Sequence, residues 1–238
     1  MNELKVIGGR RSHDVLKNVL ESRPAAGVLD APAGTGVIAQ FLRDRGWKVH
    51  CCDIDPGNFE ARGFPFTRAN LNRNIPLPDA GFDAVVCANG LHRLFNPGGA
   101  IAEFHRVLRP GGALYITVNN YASIQKRLRF FFYGSITNTI NESRYHQTIQ
   151  DPEANFRNTL FYPQLAALLE DAGFRIVQVR AASVKMSHRL LTPLAWLVRL
   201  GTLFIGPTPS RRNRLSMTAS GAICPGGKYL FIEAVKET

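Results

Sequence analysis

A chain of 238 residues with 45% hydrophobic and 20% charged residues has the size and balance of one large globular domain, or one domain with an appendage. Its formal charge of +11 is less ordinary and is unevenly placed: residues 1–120 hold 14 Lys/Arg against 11 Asp/Glu, residues 121–238 hold 15 against 7. That excess suits an anionic membrane surface, nucleic acid or an anionic substrate, whereas the four cysteines form no C-x-x-C pair and MNELKVIGGRRSHDV has no apolar signal core, so buried reduced thiols and a cytoplasmic setting are expected.

Helical spacing over 13–22 (HDVLKNVLES) predicts a first helix before Pro24. Val28-Leu29-Asp30 completes a strand over 27–30, which turns on Ala31-Pro32-Ala33-Gly34-Thr35-Gly36 into a helix over 36–45, closed by Gly46. A strand over 47–53 ends in Asp53, 23 positions after Asp30. An acid at the end of a second strand is where a Rossmann-type site holds a ribose diol. Glycine in the first loop lets a ligand approach the backbone. Pro32 offers no N–H and Asp30 is an anion, so this loop suits a cationic nucleoside better than a pyrophosphate.

Residues 56–64 read as a turn or short helix and 64–69 as a short strand. An apolar strand follows at 82–88, then a helix over 97–108 stopped by Pro110-Gly111-Gly112, with His105 facing outward, and a strand over 112–118. Beyond Asn120 the regular pattern breaks. Residues 163–172 predict a helix, and 174–179 and 228–235 predict strands. Between these strands, 190–206 (LLTPLAWLVRLGTLFIG) is an apolar run at the lower margin for spanning a bilayer, interrupted by Pro193 and Arg199. The alternation predicts an α/β fold with a Rossmann-like, doubly wound, mostly parallel seven-stranded sheet and an inserted helical cap.

VLDAPAGTG, VHCCDIDP, ANLNRNIPLPDAGFDAVVCANGLHRL and AEFHRVLRPGGALYITVNN, in this order and spacing, resemble the successive motifs of class I S-adenosylmethionine (SAM)-dependent methyltransferases, of the branch containing ubiquinone/menaquinone-type and other small-molecule enzymes. The resemblance covers about 25–120 closely and 155–180 loosely. It implies SAM as cofactor, with Asp30, Ala31, Ala33, Gly34 and Gly36 around the methionine moiety and ribose. It implies Asp53 on the ribose hydroxyls, Ile54 on the adenine face, Asn70 and Leu71 at the adenine edge, and Ala88, Asn89 and Gly90 near the methionine end and acceptor. Pro32 stands where the family commonly has glycine, and Asn70 where it has aspartate.

The domains expected are a SAM-binding core over 1–120, a substrate-facing insertion over 121–160, the core's last helix and strands over 161–182 and 223–238, and an apolar and basic cap over 183–222. His92, just after the fourth strand, is the first candidate for a general base, with Tyr145 and His146 next; His13 could help close an N-terminal lid. No metal-ligand spacing is found. The function expected is in-line methyl transfer to a small-molecule or lipid-linked acceptor. The insertion's interleaved cations and aromatics (Lys126 to Tyr133), together with the cap, suit peripheral contact with anionic lipid at the membrane's inner face. Alternatives are a non-catalytic SAM-fold scaffold, or a nucleic-acid methyltransferase, which the sequence ANGL disfavours because it lacks an N-P-P-Y-type motif.

Overall fold

The computed structural model describes residues 4, 10–136, 158–182, 192–201, 209–224 and 226–237. Helix α1 (Arg10–Leu20) precedes β1 (Gly27–Asp30), α2 (Val37–Arg43), β2 (Lys48–Asp53), β3 (Phe66–Arg68), β4 (Phe82–Ala88), α3 (Pro97–Val107) and β5 (Leu108–Asn119). Then come α4 (Ile124–Tyr133), α5 (Tyr162–Asp171), β6 (Phe174–Ala182), α6 (Thr192–Gly201), α7 (Pro209–Thr218) and β7 (Tyr229–Lys236). The seven strands form one sheet in the order β3-β2-β1-β4-β5-β7-β6. Neighbours are parallel except β7, which runs antiparallel to both β5 and β6.

Strand alternation feeds two cores. Leu29, Cys52, Val85, Cys87, Leu114 and Ile116 pack on the face covered by α3 and α5, with Ile101, Phe104, Leu165 and Leu169. Val28, Cys51, Ala84, Val86 and Tyr115 pack on the opposite face, under Leu16 and Leu20 of α1 and Ile38 and Leu42 of α2. Both faces of β1 and β4 are therefore covered, as a parallel sheet between helices requires. Burial pushes the thiols of Cys52 and Cys87 up to about 12, which keeps them protonated. All four cysteines are free and buried.

Two outcomes depart from the sequence reading of the core. Pro110-Gly111-Gly112 does not separate α3 from β5. Pairing begins at Leu108 opposite Phe82 and resumes at Ala113 opposite Ala84, so the Pro-Gly-Gly stretch is carried as a bulge. Gly111 adopts φ +75° there, which glycine permits at little cost. His105 is not simply outward-facing: its ring stands edge-on to Phe174, with centroids 5.2 Å apart.

The loop between β3 and β4 is clamped from α3. Arg106 donates to the carbonyls of Ile75 (2.7 Å) and Leu77 (2.9 Å) and to both oxygens of Glu103, while Glu103 Oε2 accepts the Ile75 N–H at 2.7 Å. Beyond β5, part of the irregular 121–160 region is the helix α4, and the apolar run at 190–206 contains the ten-residue helix α6. No helix among the described residues is long and apolar enough to cross a membrane.

Candidate functional site

The carboxyl ends of β1, β2 and β4 open onto a cavity of about 410 Å³, within the range of small-molecule sites. Its wall takes Asp30, Ala33 and Gly34 from the first loop, Asp53 and Ile54 from the end of β2, Asn70 and Leu71 after β3, and Ala88, Asn89, Gly90 and His92 after β4. Two expected residues are absent from the wall. Ala31 is fully buried in the core beneath. Gly36 faces Phe59 and Ala61, where a Cβ would lie 2.5 Å from that of Ala61. Gly36 serves instead as the left-handed N-cap of α2, with φ 87°. Tyr145 and His146 lie outside the described residues.

Asp53 fixes the loop geometry. Its Oδ2 accepts the Gly34 N–H at 2.8 Å and its Oδ1 the Asp55 N–H at 3.2 Å, which joins the β2 end to the glycine loop. A carboxylate held by backbone donors keeps further lone pairs for a ligand's hydroxyl groups. Beside it, Ile54 is 40% exposed, an apolar surface at the cavity mouth that a planar ring would cover. Asn70 is partly committed: its Oδ1 accepts the Asn72 N–H at 3.0 Å.

Asp30 is 1% exposed, and neither carboxylate oxygen has a partner within hydrogen-bonding distance and angle. Burial first, and the charge of Asp53 second, raise its pKa to about 8; the Ala39 N–H draws it partly back. A buried acid of this kind needs a donor or a cation. Asn89 adds a second buried, unpartnered acceptor, its Oδ1, on the same cavity. An ammonium-bearing ligand can donate to both groups. The acceptors at Asp30 and Asn89, the carboxylate at Asp53 and the apolar surface of Ile54 thus fit the functional groups of SAM.

Several wall residues were not singled out from the sequence. Asn72 accepts the N–H groups of Phe95 (2.9 Å) and Asn96 (3.2 Å), bracing the loop after β4 against the loop after β3. Arg93 stands beside His92. His13 reaches the wall because Asn89 Nδ2 donates to Ser12 Oγ, which pins the first turn of α1 to the end of β4. Burial, then Lys17, hold the His13 imidazole below its usual pKa. The N–H of Asn158 donates to the His92 carbonyl at 2.7 Å, so the chain returns from the 121–160 region to the cavity's edge. Of these, His13 alone was named from the sequence, as a residue that could help close an N-terminal lid; the other contacts leave no local pattern.

Residues 29–116 match the family model described as a methyltransferase domain. Over 111 residues the chain is 32% identical to a malonyl-[acyl-carrier protein] O-methyltransferase of Pseudescherichia vulneris, spanning 39% of this chain and 44% of that protein. Over 124 residues it is 34% identical to methyltransferase-like protein 27 of Homo sapiens, spanning 49% and 51%. The chain thus spans about half the length of the curated relatives it matches. Among solved structures, an S-adenosylmethionine-dependent methyltransferase of Mesorhizobium loti superposes with a TM-score of 0.59 at 14% identity, over 96% of this chain and 99% of that one. That likeness shows the fold, a Rossmann-like α/β sheet between helices.

Proposed function

We propose that this chain, whose residues 29–116 match a methyltransferase domain, is a class I SAM-dependent methyltransferase that transfers a methyl group to a small-molecule or lipid-linked acceptor. The observation that carries the reading is the pairing of an unpartnered, buried Asp30 with a backbone-anchored Asp53 in one cavity.

SAM supplies a methyl carbon on a sulfonium, and the carbon–sulfur bond breaks as the acceptor's lone pair forms the new bond. The chain's own part is chiefly binding and alignment. Asp30 and the Asn89 oxygen hold the ammonium end, Asp53 holds the ribose diol, and Ile54 covers the adenine. Ala88, Asn89 and Gly90 follow the strand end where the acceptor meets the methyl group. His92 stands on that wall to take a proton from an acceptor that must lose one. His13, held neutral by burial, faces the same space and has the same capacity. The acceptor class is supported by the cavity's mixed apolar and polar wall and by the carrier-linked acyl substrate in the name of the Pseudescherichia relative.

Calorimetry with SAM, on the wild type and Asp53→Ala, tests the cofactor assignment. Micromolar binding that weakens by about 10- to 100-fold in the variant supports it. No binding to the wild type would move the reading to a non-catalytic protein on the same fold. Turnover assays across small and lipid-linked acceptors then test the acceptor class.

A further inference from the structure

Helices α4 and α6 carry a surface that the cavity does not use. They share one small apolar cluster, in which Ile124, Ala195 and Cys224 are buried and Leu128, Leu194 and Val198 pack around them. Away from that seam, α4 ends in Phe130, Phe131, Phe132 and Tyr133, all exposed, with the last three 70–80% open. On α6, Trp196, Leu197 and Leu200 are also exposed. Large apolar side chains grouped on neighbouring elements mark an interaction surface more than a solvated one.

The surrounding charge is of one sign. From Ala172 to Ile232 the sequence has nine Lys/Arg and no Asp/Glu, and from Tyr121 to Asn141 it has three and none. Some of these cations serve the fold: Arg127 donates to the carbonyls of Ala122 and Thr218, and Arg214 pairs with Glu170. Others flank the aromatic groups. The Arg129 guanidinium lies 5.8 Å from the Tyr133 ring centre, and Arg199 is exposed next to Leu200. Helix α4 leaves the carboxyl end of β5, the sheet edge that also carries the cavity.

We propose that α4 and α6 form an interfacial docking surface for an anionic lipid bilayer, with the aromatic and aliphatic side chains entering the headgroup layer and the basic residues meeting lipid charge. A ten-residue helix is about 15 Å long, half a hydrocarbon core, so α6 lies on the bilayer and does not span it. A second copy is disfavoured as the occupant. Two-fold pairing of this face would set its cations against one another with no acid from either segment to offset them. The inference does not depend on the methyltransferase reading.

The chain carries its own reporter, because it has two tryptophans: Trp47 is 5% exposed in the core and Trp196 is 63% exposed on the proposed surface. The full chain is mixed with phosphatidylcholine vesicles, with and without equimolar phosphatidylglycerol, and followed by flotation and tryptophan emission. Co-flotation and a blue shift are expected with the anionic vesicles at low salt, both fading at high salt and absent with the neutral ones. Trp196→Phe should float but lose the blue shift. Phe131→Ser/Phe132→Ser should lower partitioning by about tenfold or more, since both rings are exposed and their loss leaves the fold intact. Arg129→Glu/Arg199→Glu is the second variant and should lose the preference for anionic vesicles. The proposal is overturned by absence of flotation at low salt, by equal binding to neutral vesicles, or by lipid-free dimers that these substitutions dissolve.

Discussion

Pro32 and Gly90 fill one space between them. A Cβ at Gly90 would lie 2.3 Å from Pro32 Cδ and 2.9 Å from both Pro32 Cγ and Cys87 Sγ. The pyrrolidine ring therefore closes against the backbone after β4 and joins two loops of the cavity wall. Gly90 has φ −86°, so an added side chain there meets a steric obstacle and no backbone strain.

Gly90→Ala should accordingly destabilise the protein by about 1–3 kcal/mol through overpacking. Pro32→Gly in the same chain should restore part of that loss. Urea denaturation of the four members of this double-mutant cycle reads the coupling directly, and additive effects would mean that the two residues do not compete for space.

Asp30 makes the site sensitive to pH. Its native pKa of about 8 lies above the ordinary carboxylate value, so between about pH 4 and 8 the folded state holds more protons than the unfolded state. The stabilising contribution is present in full below that window and is lost as pH rises through it. Asp30→Asn should flatten this part of the stability profile in thermal melts. A cation bound beside Asp30 should also expel its proton. Binding of SAM at pH 7 should then release protons, seen as a heat that depends on buffer ionisation enthalpy, and should tighten towards pH 8. The Asn variant should show neither effect.

The link between Ser12 and Asn89 joins α1 to the ligand wall. Ser12→Ala leaves a buried amide N–H of Asn89 without that acceptor, which should cost about 1–3 kcal/mol. It should also free the first turn of α1 and weaken SAM binding, because His13 leaves the wall with it. Hydrogen exchange resolved over residues 10–20, with and without SAM, checks both effects; unchanged protection would separate α1 from the site.

Arg106 holds the loop after β3 by its planar fork, with two backbone carbonyls and the Glu103 carboxylate as acceptors. Arg106→Met should lower stability by about 1–3 kcal/mol. Arg106→Lys should recover little of it, since a single ammonium cannot reproduce the fork. Chemical denaturation midpoints distinguish the two cases.

The parts of the fold legible beforehand were those written in short-range pattern. Val28-Leu29 before Asp30 and the run Ala84 to Ala88 announce buried parallel strands by their apolar character, and Gly36 marks the start of α2, which ends at Arg43, short of the expected close at Gly46. The positions of Asp30 and Asp53 follow from strand lengths, since both acids must end at one sheet edge. What could not be read depends on contacts distant in sequence. Gly36 looks like a ligand contact, but Phe59 and Ala61 take the space around it. Asn72 and the Ser12–Asn89 pair act across 23 and 77 positions and leave no periodic trace. Pro110-Gly111-Gly112 carries the usual marks of a turn, yet β4 pairs on both sides of it and turns it into a bulge.

Strand β7 lies between β5 and β6 although it follows both in the sequence. During synthesis, β5 therefore waits with an open edge until residues 229–236 have left the ribosome, and β6 has no partner until the same moment. The sheet closes in a late step that joins segments more than 100 residues apart, a topology that folds slowly and leaves adhesive strand edges bare meanwhile. Proteolysis that removes β7 would therefore part β6 from β5 and leave β5 as a bare edge, with β6 cut off from the rest of the sheet.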